Sequence, residues 1–305
     1  MTVSAFIDVG TNSTNLLVTD GGSDITRRIA VTRLGEGLHS SGLLSPAAIE
    51  RTVSVIAQHA DTARSLGANT VTIVGTAACR RARNTSELVA AVHDATGLVL
   101  EIISPEEEAR LSFAGATRGL PGLDTGSDVM VVDIGGGSTE ISIGTDTPLM
   151  SFSIPIGAVT ATESDLTTDP PRPEDLTNVI GAVQDELEEI GRTAPGALTA
   201  GRVVGVAGTF VTVAAVEIGL AEWDDSALHG FELTREAAED VFRTLATESL
   251  ADRKLNPGLP PERADVIVAG CCILVGVMRR LRLDSITVST RGLLDGLALR
   301  GRMTP

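Results

Sequence analysis

Asp133 is followed at once by Ile134 and then by Gly135-Gly136-Gly137-Ser138-Thr139. An Asp at the end of an apolar run supplies a carboxylate to a cation or to water. A glycine run behind it gathers successive backbone N–H groups into a concave turn that suits an anion. Glu140 adds a second carboxylate within reach of the same cation, or stands as an ordinary strand residue. The phrase occurs a second time near the N-terminus, where Asp8 precedes Gly10-Thr11-Asn12-Ser13. Short apolar runs flank both copies (Phe6-Ile7 and Leu16-Leu17-Val18; Val132 and Ile141-Ser142-Ile143), so each reads as a β-hairpin whose turn carries the chemistry. The duplication predicts two related domains with their hairpins facing each other across a cleft, an architecture for handling phosphate.

Further candidates lie between and beyond the hairpins. Ser104-Pro105 opens a helix, with Ser104 and Glu107 at capping-box spacing. Glu108 falls in its first turn, where the helix dipole favours an ionised carboxylate, as a general base for water must be. Glu106, Glu107 and Glu108 are equally what any stable first turn uses, so the residue types leave both readings open. Arg80, Arg81 and Arg83 follow the strand-end pair Gly75-Thr76. A guanidinium there clamps phosphate oxygens in bidentate fashion, or merely solvates a helix start. Gly205-Val206-Ala207-Gly208-Thr209 is a second turn of close backbone approach, with a plain strand-to-helix turn as the alternative. His39, His59, His93 and His229 have no ligand spacing, and neither do Cys79, Cys271 and Cys272, which read as reduced thiols, the 271–272 pair buried as small hydrophobes.

These groups need scaffolds. The 305 residues, 43% of them apolar, suffice for two domains with a core each. The net charge of −16 excludes general nucleic-acid binding and requires any anion site to be built locally. The apolar run Val266 to Met278 is too short to span a bilayer and reads as a core helix; with no basic leader in view, the expected location is cytoplasmic. Hairpins are expected over 3–20 and 129–144, and strands at 29–33, 71–74, 99–103, 151–155, 203–206 and 285–289. Helices are expected over 45–65, 85–96, 173–191, 235–247 and 262–281, and from 105, 207 and 293. Strands alternating with helices give α/β layers. The Gly-, Pro- and Asp-rich stretch 118–128 reads as a link, so the expected domains are 1–120 and 121–292, with 293–305 packing back on the first.

Asp8-Val9-Gly10-Thr11-Asn12-Ser13, Gly75-Thr76 with Arg80, Ser104 to Leu111, Asp133 to Glu140, Pro155-Ile156-Gly157-Ala158, Asp169-Pro170-Pro171 and Gly205 to Thr209 follow one another in an order and spacing that resembles the exopolyphosphatase / guanosine pentaphosphate phosphohydrolase (Ppx/GppA) family from end to end. The resemblance implies two ribonuclease-H-like domains of the actin, Hsp70 and sugar-kinase superfamily. It implies release of orthophosphate from inorganic polyphosphate, or conversion of the stringent-response nucleotide pppGpp to ppGpp. Glu108 takes the place of the family's catalytic base, and Arg80 that of a polyphosphate contact. Asp8, Gly10, Thr11, Asn12, Ser13, Gly135, Gly136, Gly137, Ser138, Thr139, Gly208 and Thr209 are expected around phosphate. Mg²⁺ or Mn²⁺ is expected on Asp133 with Glu140 or Asp8, and a homodimer by analogy. The chain departs from the family pattern at Asn15, where relatives often carry a basic residue or His, and at Thr167-Thr168. These changes bear on chain-length preference and guanosine recognition rather than on the core chemistry. Two rivals remain: an ATP-dependent kinase on the same fold, for which no acceptor motif is seen, and a non-catalytic sensor of ppGpp or polyphosphate.

Overall fold

The first apolar run forms β1 (Ser4–Val9), which turns back into β2 (Ser13–Thr19) with partners running from Ser4↔Thr19 to Val9↔Thr14. The computed structural model describes residues 2–21, 23–123 and 126–303. β3 (Asp24–Val31) continues the antiparallel meander and starts five residues before the expected 29, since a polar edge strand with no buried stripe leaves no alternation to read. After α1 (Leu38–Ser41), α2 (Pro46–Ser65) carries the chain back, so that β4 (Thr70–Gly75) pairs parallel with β1. Ser45 caps α2 as its sequence predicts: Oγ accepts the Ala48 N–H at 3.2 Å, and Pro46 fills the first helical position. Then come α3 (Ala77–Arg81), α4 (Thr85–Thr96), β5 (Leu100–Ile102, parallel to β4) and α5 (Pro105–Ala116).

The scheme repeats. β6 (Val129–Ile134), β7 (Thr139–Gly144) and β8 (Pro148–Ile154) form an antiparallel meander. α6 (Ala158–Ser164) and α7 (Pro173–Thr193) lead to β9 (Arg202–Val206), parallel to β6. α8 (Ala207–Ile218), α9 (Asp225–Leu228), β10 (Glu232–Thr234), α10 (Arg235–Thr247), α11 (Leu250–Arg253) and a 3₁₀ turn at Pro261–Arg263 follow. α12 (Ile267–Arg280) is buried along nearly its whole length, as a helix apolar on every face must be. It starts at Ile267 instead of 262 because the preceding residues form the 3₁₀ turn. β11 (Ser285–Val288) pairs with β9, and α13 (Leu293–Met303) ends the described chain.

The sheet orders are β3-β2-β1-β4-β5 and β10-β11-β9-β6-β7-β8. Each contains a three-strand meander whose first strand is extended by parallel strands, the ribonuclease-H-like pattern, and the second sheet adds antiparallel β10 at its edge. The chain divides into Met1–Gly115 with Leu293–Pro305, and Ala116–Gly292, so the division falls at 115 where the sequence puts it at 120. In the first unit both faces of the sheet are covered, which is why neighbouring residues of one strand are all buried. Ile7 and Leu16 pack with Ile56 of α2 and Leu88 of α4, while Phe6 and Leu17 pack with Leu111 of α5 and with Leu294 and Leu297 of α13. Among the described residues no helix is long and apolar enough to cross a membrane.

Candidate functional site

In the first unit the β1–β2 turn closes when Gly10 N donates to Ser13 O at 2.9 Å. The turn's carbonyls are drawn to one side. Thr11 O accepts Gly35 N at 2.9 Å, and Asn12 O accepts Thr32 N and Arg33 N at 3.0 and 2.9 Å. Arg33 adopts a positive φ of 48° to make this tie, a conformation uncommon outside glycine. With those carbonyls occupied, the opposite side of the turn is left to its N–H groups. Asp8 ends β1, and its cross-strand partner Asn15 donates Nδ2 to Asp8 Oδ2 at 3.3 Å. Oδ1 of Asn12 and of Asn15 are buried acceptors that meet no donor among the described residues. His59, buried on α2, reaches the same hairpin with Nε2 3.2 Å from Thr14 O.

Arg80 and Glu108 come together in this unit although 28 residues separate them. Thr76 N and Oγ1 both donate to Val9 O, at 3.2 and 3.4 Å, which fixes the start of α3 beside the end of β1. Arg80 Nη1 then donates to Glu108 Oε2 at 2.6 Å and to Ile103 O at 3.0 Å. Ser104 Oγ accepts Glu107 N at 3.2 Å, as the capping-box spacing predicts, but the Glu107 carboxylate turns to Arg110 and Arg300 instead of completing the box. Those arginines hold it below the usual carboxylate range, and of the three acidic residues Glu108 is the one paired with Arg80. Arg83 is elsewhere, donating to Ser41 O at 2.9 Å. Burial pushes the Cys79 thiol up to about 12, helped by the charge of Asp8, so it stays protonated.

The second unit repeats the device. Gly135 N donates to Ser138 O at 3.0 Å, and the first turn of α6 takes the loop's carbonyls: Ala158 N on Gly135 O at 2.9 Å, and Val159 N and Thr160 N on Gly136 O at 2.8 and 3.1 Å. Gly157 is required here, because a Cβ would lie 2.5 Å from Gly136 O and Ser138 N. Asp133 and Glu140 are direct cross-strand partners beside this loop. Glu140 is buried, and its Oε1 accepts Ser138 Oγ at 2.6 Å and Ser153 Oγ at 3.1 Å. Thr139, expected at phosphate, is wholly buried with its hydroxyl on Ile156 O at 2.8 Å, where it braces the loop.

Gly208 and Thr209 open α8, just after Ala207, which holds a positive φ of 69°. A non-glycine residue holds this conformation only where the surrounding structure fixes it. Over Gly208 lies a guanidinium that the sequence reading did not single out: a Cβ on Gly208 would stand 1.5 Å from Arg263 Nη1. Burial lowers the pKa of Arg263 from its ordinary value, with the charge of Glu262 opposing. Its turn is braced by buried Arg253, which donates to Ala264 O at 2.8 Å and to Asp169 Oδ1 at 2.6 Å. Asp169 also accepts Leu250 N at 2.7 Å, so the Asp169-Pro170-Pro171 motif serves the support of Arg263.

The oxygen-rich donors fit a hard divalent cation. Mg²⁺ is usually held by one or two carboxylates together with substrate phosphate, and the opposed carboxylates of Asp133 and Glu140 meet that need. Among the described residues there is no group of three or more His, Cys, Asp or Glu side chains placed to hold a metal.

Residues 16–302 match the Ppx/GppA phosphatase family. The chain is 35% identical to Exopolyphosphatase 2 of Mycobacterium tuberculosis (strain CDC 1551 / Oshkosh), covering 98% of each protein. Among solved structures, an exopolyphosphatase-like protein superposes with a TM-score of 0.92 at 32% identity, covering 98% of this chain and 99% of that one. The Ppx/GppA family member of Aquifex aeolicus gives a TM-score of 0.81 at 30% identity, with 99% and 98% covered. The near-complete coverage on both sides establishes that this chain belongs to the Ppx/GppA phosphatase family.

Proposed function

We propose that the protein is an exopolyphosphatase that hydrolyses the terminal phosphoanhydride of inorganic polyphosphate, and that it accepts pppGpp through the same terminal bond. The observation that carries this reading is the half-buried pairing of Glu108 with Arg80, a base for water beside a cation for phosphate. Water attacks the terminal phosphorus, Glu108 takes its proton, and the bridging P–O bond breaks with its electron pair leaving on the shortened chain. Arg80 and Arg263 bind phosphate oxygens. The amides of 10–13 and 135–138 hold phosphate oxygens without a change of charge. Mg²⁺ or Mn²⁺, held by Asp133 and Glu140, would supply neutralisation of phosphoryl charge when bound. Three buried, unpaired thiols fit a reducing compartment, so we place the enzyme in the cytoplasm.

The test is phosphate release from short polyphosphate, long polyphosphate and pppGpp, each with Mg²⁺ and with Mn²⁺. Glu108→Gln is expected to cut turnover by at least about a hundredfold, the usual worth of a positioned base. Release by this variant at the parental rate overturns the assignment. Tight binding by the parent with no release under any of these conditions replaces the enzyme with a sensor.

A further inference from the structure

Glu108 does not wait in water. Its Oε2 receives Arg80 Nη1 at 2.6 Å, and the two side chains are only 14% and 20% exposed. The same Nη1 donates to Ile103 O, so both of its hydrogens are engaged. A carboxylate oxygen that holds a charged donor in a half-dry setting is a poor acceptor for a proton from water. The main chain on both sides of the pair is fixed: Arg80 N is bonded to Thr76 O at 3.0 Å, and Glu108 N to Ser104 O at 2.9 Å. What is left to move is the long Arg80 side chain.

We propose that the Arg80–Glu108 ion pair is a latch that substrate opens: a phosphate of the polyphosphate chain takes the Arg80 guanidinium, and Glu108 is released to accept the proton of the attacking water. The inference rests on the roles given to these residues under the proposed function. The first turn of α5 keeps Glu108 ionised after release, because the dipole of that helix remains when the guanidinium leaves. Phosphate is the fitting key, since a planar guanidinium pairs with it at least as well as with a carboxylate. Arg80 is then a positioning residue that couples binding to the availability of the base.

The latch makes substrate compete with Glu108 for Arg80. The probe is imidotriphosphate, a triphosphate analogue with P–N–P bridges that resist hydrolysis, titrated calorimetrically in Mg²⁺ into the full chain. The proteins are the parent, Glu108→Gln, Arg80→Ala and the double variant. Glu108→Gln is expected to bind about tenfold more tightly than the parent, the scale of one charge-assisted hydrogen bond. In the Arg80→Ala background that gain disappears, because the coupling runs through the guanidinium. Equal affinity of parent and Glu108→Gln overturns the latch. So does a gain that persists without Arg80, which marks plain repulsion between carboxylate and phosphate. Glu108→Asp keeps the charge but falls short of Arg80, and it too is expected to bind more tightly; affinity at the parental level overturns the proposal even where the glutamine variant does not fold. Phosphate release separates the two readings. Lost turnover with unchanged affinity removes the latch alone, whereas parental turnover in Glu108→Gln removes the base and the latch together.

Discussion

Glu140 stands directly across the β6–β7 ladder from Asp133. Like charges in that relation destabilise a sheet. The equivalent place in the β1–β2 ladder, opposite Asp8, is held by Asn15, whose amide donates to the carboxylate. One hairpin therefore offers its acid an amide donor on Oδ2, while the other sets two acids across from each other and eases Glu140 with the hydroxyls of Ser138 and Ser153. The departure at Asn15 makes the two hairpins chemically unequal.

The proposed function puts a cation on the opposed acids. Glu140→Gln is expected to raise the Mg²⁺ concentration for half-maximal phosphate release at least about tenfold, in line with the loss of a ligand or its close support. Without metal, the same variant melts no lower than the parent, since one of two repelling charges is gone. A metal titration of activity with thermal melts in chelator checks both halves. An unchanged metal curve removes Glu140 from the metal's surroundings.

Gly208 offers a way to move Arg263 without deleting it. A methyl group there would stand 1.5 Å from Nη1, at the far end of a flexible side chain, so the guanidinium shifts and the backbone stays. Gly208→Ala is expected to keep stability within about 1 kcal/mol of the parent while raising KM for triphosphate about tenfold, the same effect expected of Arg263→Ala. The double variant is expected to be no worse than Arg263→Ala alone. Urea unfolding and steady-state kinetics supply the readings, and a parental KM in Gly208→Ala refutes the role given to Arg263.

His59 gives the first unit a pH dependence. Burial lowers its pKa from the ordinary 6.5, with Thr14 O opposing and the charge of Arg28 adding to the shift. Below pH 6.5 the unfolded chain therefore binds more protons at this residue than the folded one. Its contribution to stability is complete above that pH and is lost as pH falls. Unfolding free energy measured from pH 7.5 down to about 5 should decline more steeply in the parent than in His59→Gln. Parallel slopes would show that the folded protein accommodates the charged ring.

The features legible in the sequence are those that local chemistry dictates. The Asp-Gly hairpins, the Ser45-Pro46 helix start and the Ser104 cap sit where their residue types require. α6 was not foreseen, because Ala158-Val159-Thr160-Ala161-Thr162 is rich in β-branched residues that favour helix weakly; its first amides are held by the loop carbonyls of Gly135 and Gly136. Arg263 escaped for a related reason. It falls in the first turn of the helix expected over 262–281, where the chain instead forms the 3₁₀ turn, and its relation to Gly208 exists only once α8 and that turn have come together. The pairing of Glu108 with Arg80 was likewise hidden, since three adjacent acids look alike until α3 selects one of them.

Gly296 of α13 lies against the backbone of Leu111, and Leu294 and Leu297 complete the cluster begun by Phe6 and Leu17. On the ribosome, the first-made sheet therefore waits for a helix made after the second unit. Until the second unit has been translated, the face of the nascent first unit bearing Phe6 and Leu17 is covered by α5 without α13, and the helix that carries Glu108 lacks its neighbour. A message cut before α13 loses far more than a tail: the product has an unfinished first unit, open to chaperones and proteases.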